Sequence, residues 1–286
     1  MLSGCAGGRA LRADCEACPA MRRIPAGDAS FGSVAGALYQ RPDELPRRTI
    51  RIERAFAVSS REVTRGQYAA FVHATSRPAG GDCLTDRAHT GQWVYDANTT
   101  WLDPGFEQGD DHPVACVSYD DALAYVDWLN SQTRGGYRLL TELEWEYVAA
   151  GDAATLFPWG DDKSRGCAFA NGFDESTWTK YRGMDTAGYP LFDPLPCRDG
   201  WVNTAPVGSL APNKLGVYDM IGNVSEWVAG CYRASHAPDA AESCDKHVAK
   251  GGSWGTLAHN LRTAERFPYA AAHRDDSIGI RIARDL

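Results

Sequence analysis

The sequence predicts an α+β fold in a single domain with little regular secondary structure. Three observations carry this. First, 29 Gly and 15 Pro, with nine Trp against nine Phe and four Met, describe a loop-rich chain and not a helical bundle. Second, the helices that can be read from capping signals are few and short. Third, beyond Gly151 short apolar pieces are divided by Gly, Pro, Asn and Asp, which is the chemistry of turns and short strands. The 286 residues are enough to bury roughly 75% of the unfolded chain's surface. No Ser- or Pro-rich linker divides the halves.

Taken in order, residues 1–21 read as a tether of small residues and Arg without periodicity, and residues 22–286 as the folded body. Thr64 followed three residues later by Gln67 is a capping box, and Tyr68, Phe71 and Val72 then share one face. Ser118 precedes Asp120 and Asp121, favourable in a first turn. Ala122, Tyr125, Val126 and Leu129 follow at helical spacing. Thr141 and Glu144 form a second capping box, with Trp145 and Val148 facing inward and Gly151 as the stop. Thr204 to Val207 and Gly279 to Ala283 read as short strands.

A net charge of −8 with no basic stripe excludes nucleic acid as the main partner. No apolar run approaches the ~18 residues of a membrane span. Nine cysteines are many for a reducing compartment, and Cys15-x-x-Cys18 has no second such pair to complete a zinc ribbon, so disulfides and export are expected. Pairs 15–18, 83–116, 167–197 and 231–244 are the expected set, although eight cysteines allow about 105 connectivities and sequence does not choose among them. Cys5 is then left over. Leu2-Ser3-Gly4-Cys5 looks like a lipobox, a lipid-anchor site, yet no charged or apolar leader precedes it. Either Met1 is a late start or the match is chance.

Six strings in order resemble the formylglycine-generating enzyme (sulfatase-modifying factor) family. They are Arg61–Tyr68, His112–Tyr119, Arg138–Tyr147, Asn213–Trp227, Lys250–Trp254 and Ile278–Ala283. The most specific is Tyr218-Asp219-Met220-Ile221-Gly222-Asn223-Val224-Ser225-Glu226-Trp227. The resemblance implies a domain related to C-type lectins; the cysteines and the lipobox-like start point to a periplasmic or extracellular protein, and a monomer is expected. The resemblance also implies one or two structural Ca²⁺ sites. Asn171, Gly172, Asp199 and Trp201 match one ligand set, and Asp219, Gly222, Val224 and Glu226 the other. Irregular loops can turn side-chain and carbonyl oxygens onto a hard cation.

The family's oxidases form formylglycine with O₂ and Cu(I) held by two cysteines after the Gly-Gly-Ser element. Those positions are Thr256 and Leu261 here, and neither binds Cu(I), so copper chemistry is not expected. Groove candidates are Ser253, Trp254, Thr256, His259, Asn260, Arg262, Glu265 and Arg266. His259 and His273 with Glu265 are weighed as a two-His-one-carboxylate site, against an ordinary ion-pair cluster under the loop. Relatives without the cysteine pair include a siderophore-maturing oxidoreductase and members that only bind partners. The expectation is a lectin-like module binding a peptide, protein or glycan. The alternative is a modifying enzyme using the same groove with another cofactor or none.

Overall fold

Each of the three capped segments is a helix: α1 (Arg65–Thr75), α2 (Tyr119–Gln132) and α3 (Glu142–Ala150). The expected boxes close in α1 and α3, and α2 has a third, in which the Asp121 carboxylate accepts the Ser118 amide N–H. Gly151 ends α3 in the left-handed conformation. A fourth helix, α4 (Glu175–Lys180), is capped by Asp174 and is too short to announce itself by periodicity. The computed structural model describes residues 9–15, 17–151, 155–187, 191–237 and 240–286, so the lipid-anchor expectation at Cys5 lies outside the described residues.

A five-stranded antiparallel sheet runs in the order Arg9–Ala10, Met21–Ile24, Phe56–Ser59, Ile282–Asp285 and Tyr137–Leu139, so the first and last described strands belong to one sheet. This corrects the reading of residues 1–21 as a tether over its described part. Arg9–Ala10 is a sheet edge, and Leu11, Cys15 and Cys18 pack on the core. A four-stranded sheet runs Phe267–Ala270, Lys246–Lys250, Ser225–Trp227 and Ile278–Gly279, its last pair parallel. Residues 204–207 are not a strand, because the Asn223 carboxamide takes both backbone polar groups of Ala205, accepting its N–H and donating to its carbonyl oxygen. All four expected disulfides are present.

Two cores result. One gathers Tyr68 and Phe71 of α1, Tyr125 and Leu129 of α2, and Trp227. The other surrounds Trp145 of α3 with Val58, Leu140, Phe157 and Leu261. Where the sheets meet, the Arg281 side chain is wholly buried and donates to Glu226, itself 1% exposed, at 2.8 Å. Removing one partner of such a pair leaves an uncompensated buried charge. Arg281→Ala is therefore expected to cost about 3–5 kcal/mol in chemical denaturation, and a loss under about 1 kcal/mol would contradict the bridging role.

Asp121 offers a test by pH. Burial opposes its charge, but the Ser118 N–H and the Arg274 and Arg77 guanidiniums outweigh that and hold its pKa below the ordinary range. A folded-state pKa below the unfolded one adds stability above the unfolded value, and that stability is lost as pH falls through the folded value. Urea unfolding from about pH 6 to about pH 3 is expected to show a shallower acid loss in Asp121→Asn than in the parent. Identical slopes would remove Asp121 from the account.

Candidate functional site

A third, smaller apolar cluster joins Phe173, Tyr181, Met184 and Trp254, with Trp93, Phe192 and Leu257 packed against it. It is not closed over by other elements and forms one wall of an open cleft of about 460 Å³. The polar side carries Ser253, Thr256, His259 and Asn260, with Asp275, Asp276 and Ser277 from the far end of the chain.

The route into the cleft starts at the strand Lys246–Lys250. Gly251 and Gly252 follow at φ of +94° and +69°, and a Cβ at Gly252 would lie 2.9 Å from Leu261 Cδ2. Glycine is required by both the conformation and the close approach. This bend delivers Ser253 and Trp254. The Trp254 amide donates to Asn223 O at 3.0 Å, and its indole N–H reaches Asp276 O at 3.4 Å. Thr256 Oγ1 accepts the Ser253 N–H at 2.9 Å, and the Phe173 amide donates to Thr256 O. The hairpin Cys83–Thr85 and Val94–Asp96 brings in Leu84 and Trp93. It is tied to the 274–276 segment by Leu84 N to Arg274 O and Asp276 N to Leu84 O, and to the loop before α2 by Cys83–Cys116.

Asp276 is 1% exposed and its Oδ1 has no hydrogen-bond partner. Burial and then the neighbouring Asp275 charge push its carboxyl well above the usual range. Sequence reasoning missed it because Asp275-Asp276-Ser277 reads as turn chemistry. Trp93 and Phe192 were missed because they are remote in sequence from the Gly-Gly-Ser element, and no periodicity links them to it.

Ser253, Trp254, Thr256, His259 and Asn260 line the cleft. His259 is held mainly neutral by burial, which lowers its pKa. Glu265, Arg266 and Arg262 are corrected: they are braces, buried and absent from the cleft wall. Arg262 forks onto Glu44 at 2.8 and 2.9 Å and also pairs with Glu265, which takes Arg41 as well. Arg266 forks onto Glu142 at 2.6 and 3.0 Å. Of the two readings weighed for His259, His273 and Glu265, the arrangement is that of the ion-pair cluster: His273 stacks on Tyr269 and bonds the Tyr95 hydroxyl while Glu265 is spent on arginines. Among the described residues, the acid–histidine group with donor atoms within 4.8 Å is Glu142, Glu146 and His236. Lys250 already sits 2.7 Å from Glu146, and Arg266 holds Glu142, so that group is an ion-pair network first.

The two oxygen-rich loop sets differ in how much the protein already satisfies them. In the first, Asn171 Oδ1 and Asp199 Oδ2 are buried without a hydrogen-bond partner. Burial, with Asp174 nearby, pushes Asp199 up to about 7, and the Gly172 and Trp201 N–H groups face the same carboxylate. A hard cation suits such orphaned oxygens. In the second, Glu226 Oε1 accepts Arg281 and Oε2 accepts the Trp145 indole, while Asp219 Oδ2 accepts Gly208 N–H. Gly222 is pressed onto Asn171, where a Cβ would lie 2.2 Å from its carbonyl oxygen, so the two sets share one wall.

The architecture is that of known proteins. PvdO from Pseudomonas aeruginosa superposes with a TM-score of 0.78 at 31% identity, covering 98% of this chain and 99% of that one. The formylglycine-generating enzyme of Mycobacterium tuberculosis is 31% identical over 318 aligned residues, 92% of this chain and 96% of that protein. The inactive Cα-formylglycine-generating enzyme 2 of Bos taurus is 30% identical over 203, covering 67% of this chain and 58% of that protein. The model of the sulfatase-modifying factor enzyme 1-like domain matches residues 9–286. With its C-type-lectin-like architecture, this chain belongs to the formylglycine-generating enzyme (sulfatase-modifying factor) family.

Proposed function

We propose that this protein is an extracytoplasmic, calcium-stabilised family member without copper chemistry, binding a peptide, protein or glycan in the cleft beneath Trp254. One observation carries the reading: the cleft is open, but the two positions where the family's oxidases hold Cu(I) offer no thiolate. Thr256 is spent on the Ser253 amide, and Leu261 is fully buried against Gly172 and Gly252. Cu(I) prefers soft sulfur ligands, so these residues do not fit it. A retained cleft with aromatic walls and a few polar groups is what a binding site requires.

Four disulfides support an oxidising compartment. The orphaned oxygens of Asn171 and Asp199 support Ca²⁺ at the first set, where Gly172 and Trp201 would complete the shell with carbonyls. Bound there, the ion pins loops that carry few ladder hydrogen bonds. The second set, with its carboxylates already engaged, supports a second ion less strongly. The alternative, a modifying enzyme using the same cleft, is favoured by one observation: Asp276 is a buried acid with a raised pKa, as acid–base chemistry demands.

Chelation is expected to lower the melting temperature by several degrees, with added Ca²⁺ restoring it and Asp199→Ala abolishing the response. An unchanged melt would overturn the calcium assignment. A fragment screen followed by amide NMR is expected to place its shifts on Trp93, Trp254 and Thr256. Hits that avoid these residues would overturn the cleft as the binding site, and chemical turnover of a bound fragment would favour the enzyme.

A further inference from the structure

We propose that the cleft recognises an organic ammonium group, with Asp276 as its counter-charge and Trp93, Phe173, Phe192 and Trp254 as its aromatic walls. This rests on the cleft being the binding site and goes further by naming the chemistry of the ligand.

The first argument is charge. Asp275 and Asp276 both line the cleft, and among the described residues no Lys or Arg does. The arginines of neighbouring segments are engaged elsewhere: Arg274 on Asp121 and Arg87 on Asp103. His259, the remaining basic group of the lining, is held mainly neutral by burial. Asp276 is faced by the Thr85 hydroxyl, the Asp86 amide and two further acids, Asp275 and Asp86, so no cation of the protein offsets a carboxylate there. Its Oδ1 stays unpartnered at 1% exposure. A buried polar atom without a partner is costly, and a ligand donor is the natural way to satisfy it.

The second argument is the shape of the apolar wall. Phe173 and Phe192 meet edge to face with centroids 5.8 Å apart, and Trp93 stacks on Tyr181 at 6.1 Å, so the rings brace one another. Aromatic faces attract cations through the ring quadrupole, most strongly when the site is desolvated. Aromatic rings beside an uncompensated acid suit a primary ammonium, from a lysine side chain or chain terminus, or a quaternary one. An anion finds no basic partner in the cleft, a neutral apolar ligand leaves Oδ1 unpaired, and a bound cation favours the ionised carboxylate that burial opposes in the empty cleft.

The test uses the full chain and three probes: n-butylamine, choline, and 3,3-dimethyl-1-butanol, the uncharged isostere of choline. Binding is read by tryptophan fluorescence and calorimetry. At least one ammonium probe is expected to bind about tenfold or more tightly than the isostere. Asp276→Asn, near-isosteric and neutral, is expected to erase that preference while leaving the isostere's affinity unchanged. The exposed Asp120→Asn is expected to leave everything unchanged. The stronger of butylamine and choline tells a primary from a quaternary ligand. Equal affinity for choline and its isostere, with butylamine no tighter, would overturn the ammonium assignment and leave the cleft as a binding site. No binding of any probe would overturn the ammonium assignment and count against the cleft as well. The wild-type comparison stands even if the variant fails to fold.

Discussion

The Arg281 guanidinium is the interaction on which the rest of this structure depends. Ile278–Gly279 pairs in one sheet and Ile282–Asp285 in the other, so Arg281 sits where the chain passes between them. It donates to Glu226 in the four-stranded sheet, to Ser59 O in the five-stranded sheet at 2.9 Å, and to Tyr218 O at 2.8 Å. A fully buried ion pair is a weak source of net stability, because desolvation offsets the attraction. Its contribution is geometric: five donors in a rigid fork satisfy acceptors from three separate segments at once.

From that point the order propagates to the cleft. The loop 218–224 is held from below by Arg281 and from the side by Glu62, which accepts Asn223 Nδ2 and Val224 N–H. Asn223 then accepts the Trp254 amide on its carbonyl and donates its own amide to Asn171 O at 2.6 Å. The first oxygen-rich set and the tryptophan of the cleft are thus two hydrogen bonds apart on one buried asparagine. Calcium at Asn171 and Asp199 would stiffen the same asparagine that seats Trp254. The other brace is ionic. Arg262 and Arg266 reach back to residues 43–44 and α3, while Lys250 pairs with Glu146. Together they hold the segment that follows the cleft against the second core.

The parts of the fold that were legible in sequence are those governed by local chemistry. Thr64, Ser118 and Thr141 cap helices because their side chains bond amides three residues on, a relation visible in any sequence. Gly151 announces itself as a helix stop through a conformation that glycine adopts cheaply. The cysteine pairs were expected but not chosen by sequence among about 105 connectivities, and it is the fold that brings each pair together. What was not legible was non-local. Glu265 and Arg266 look like groove residues until Glu142, more than a hundred positions earlier, is seen to take the arginine. Asp276 looks like a turn former until burial strips it of water and leaves one oxygen bare. The tether failed for the same reason: Arg9–Ala10 has no periodicity of its own and is a strand because the Met21–Ile24 edge lies open to it.

What is proposed is a family scaffold stabilised by oxygen-bound calcium and lacking the thiolates that hold Cu(I). Elemental analysis of the purified, dialysed protein by inductively coupled plasma mass spectrometry tests this most directly. The account predicts about one calcium per chain and only trace copper or iron. Copper or iron near one per chain would contradict it, and would mean that a redox centre is assembled from residues other than Thr256 and Leu261.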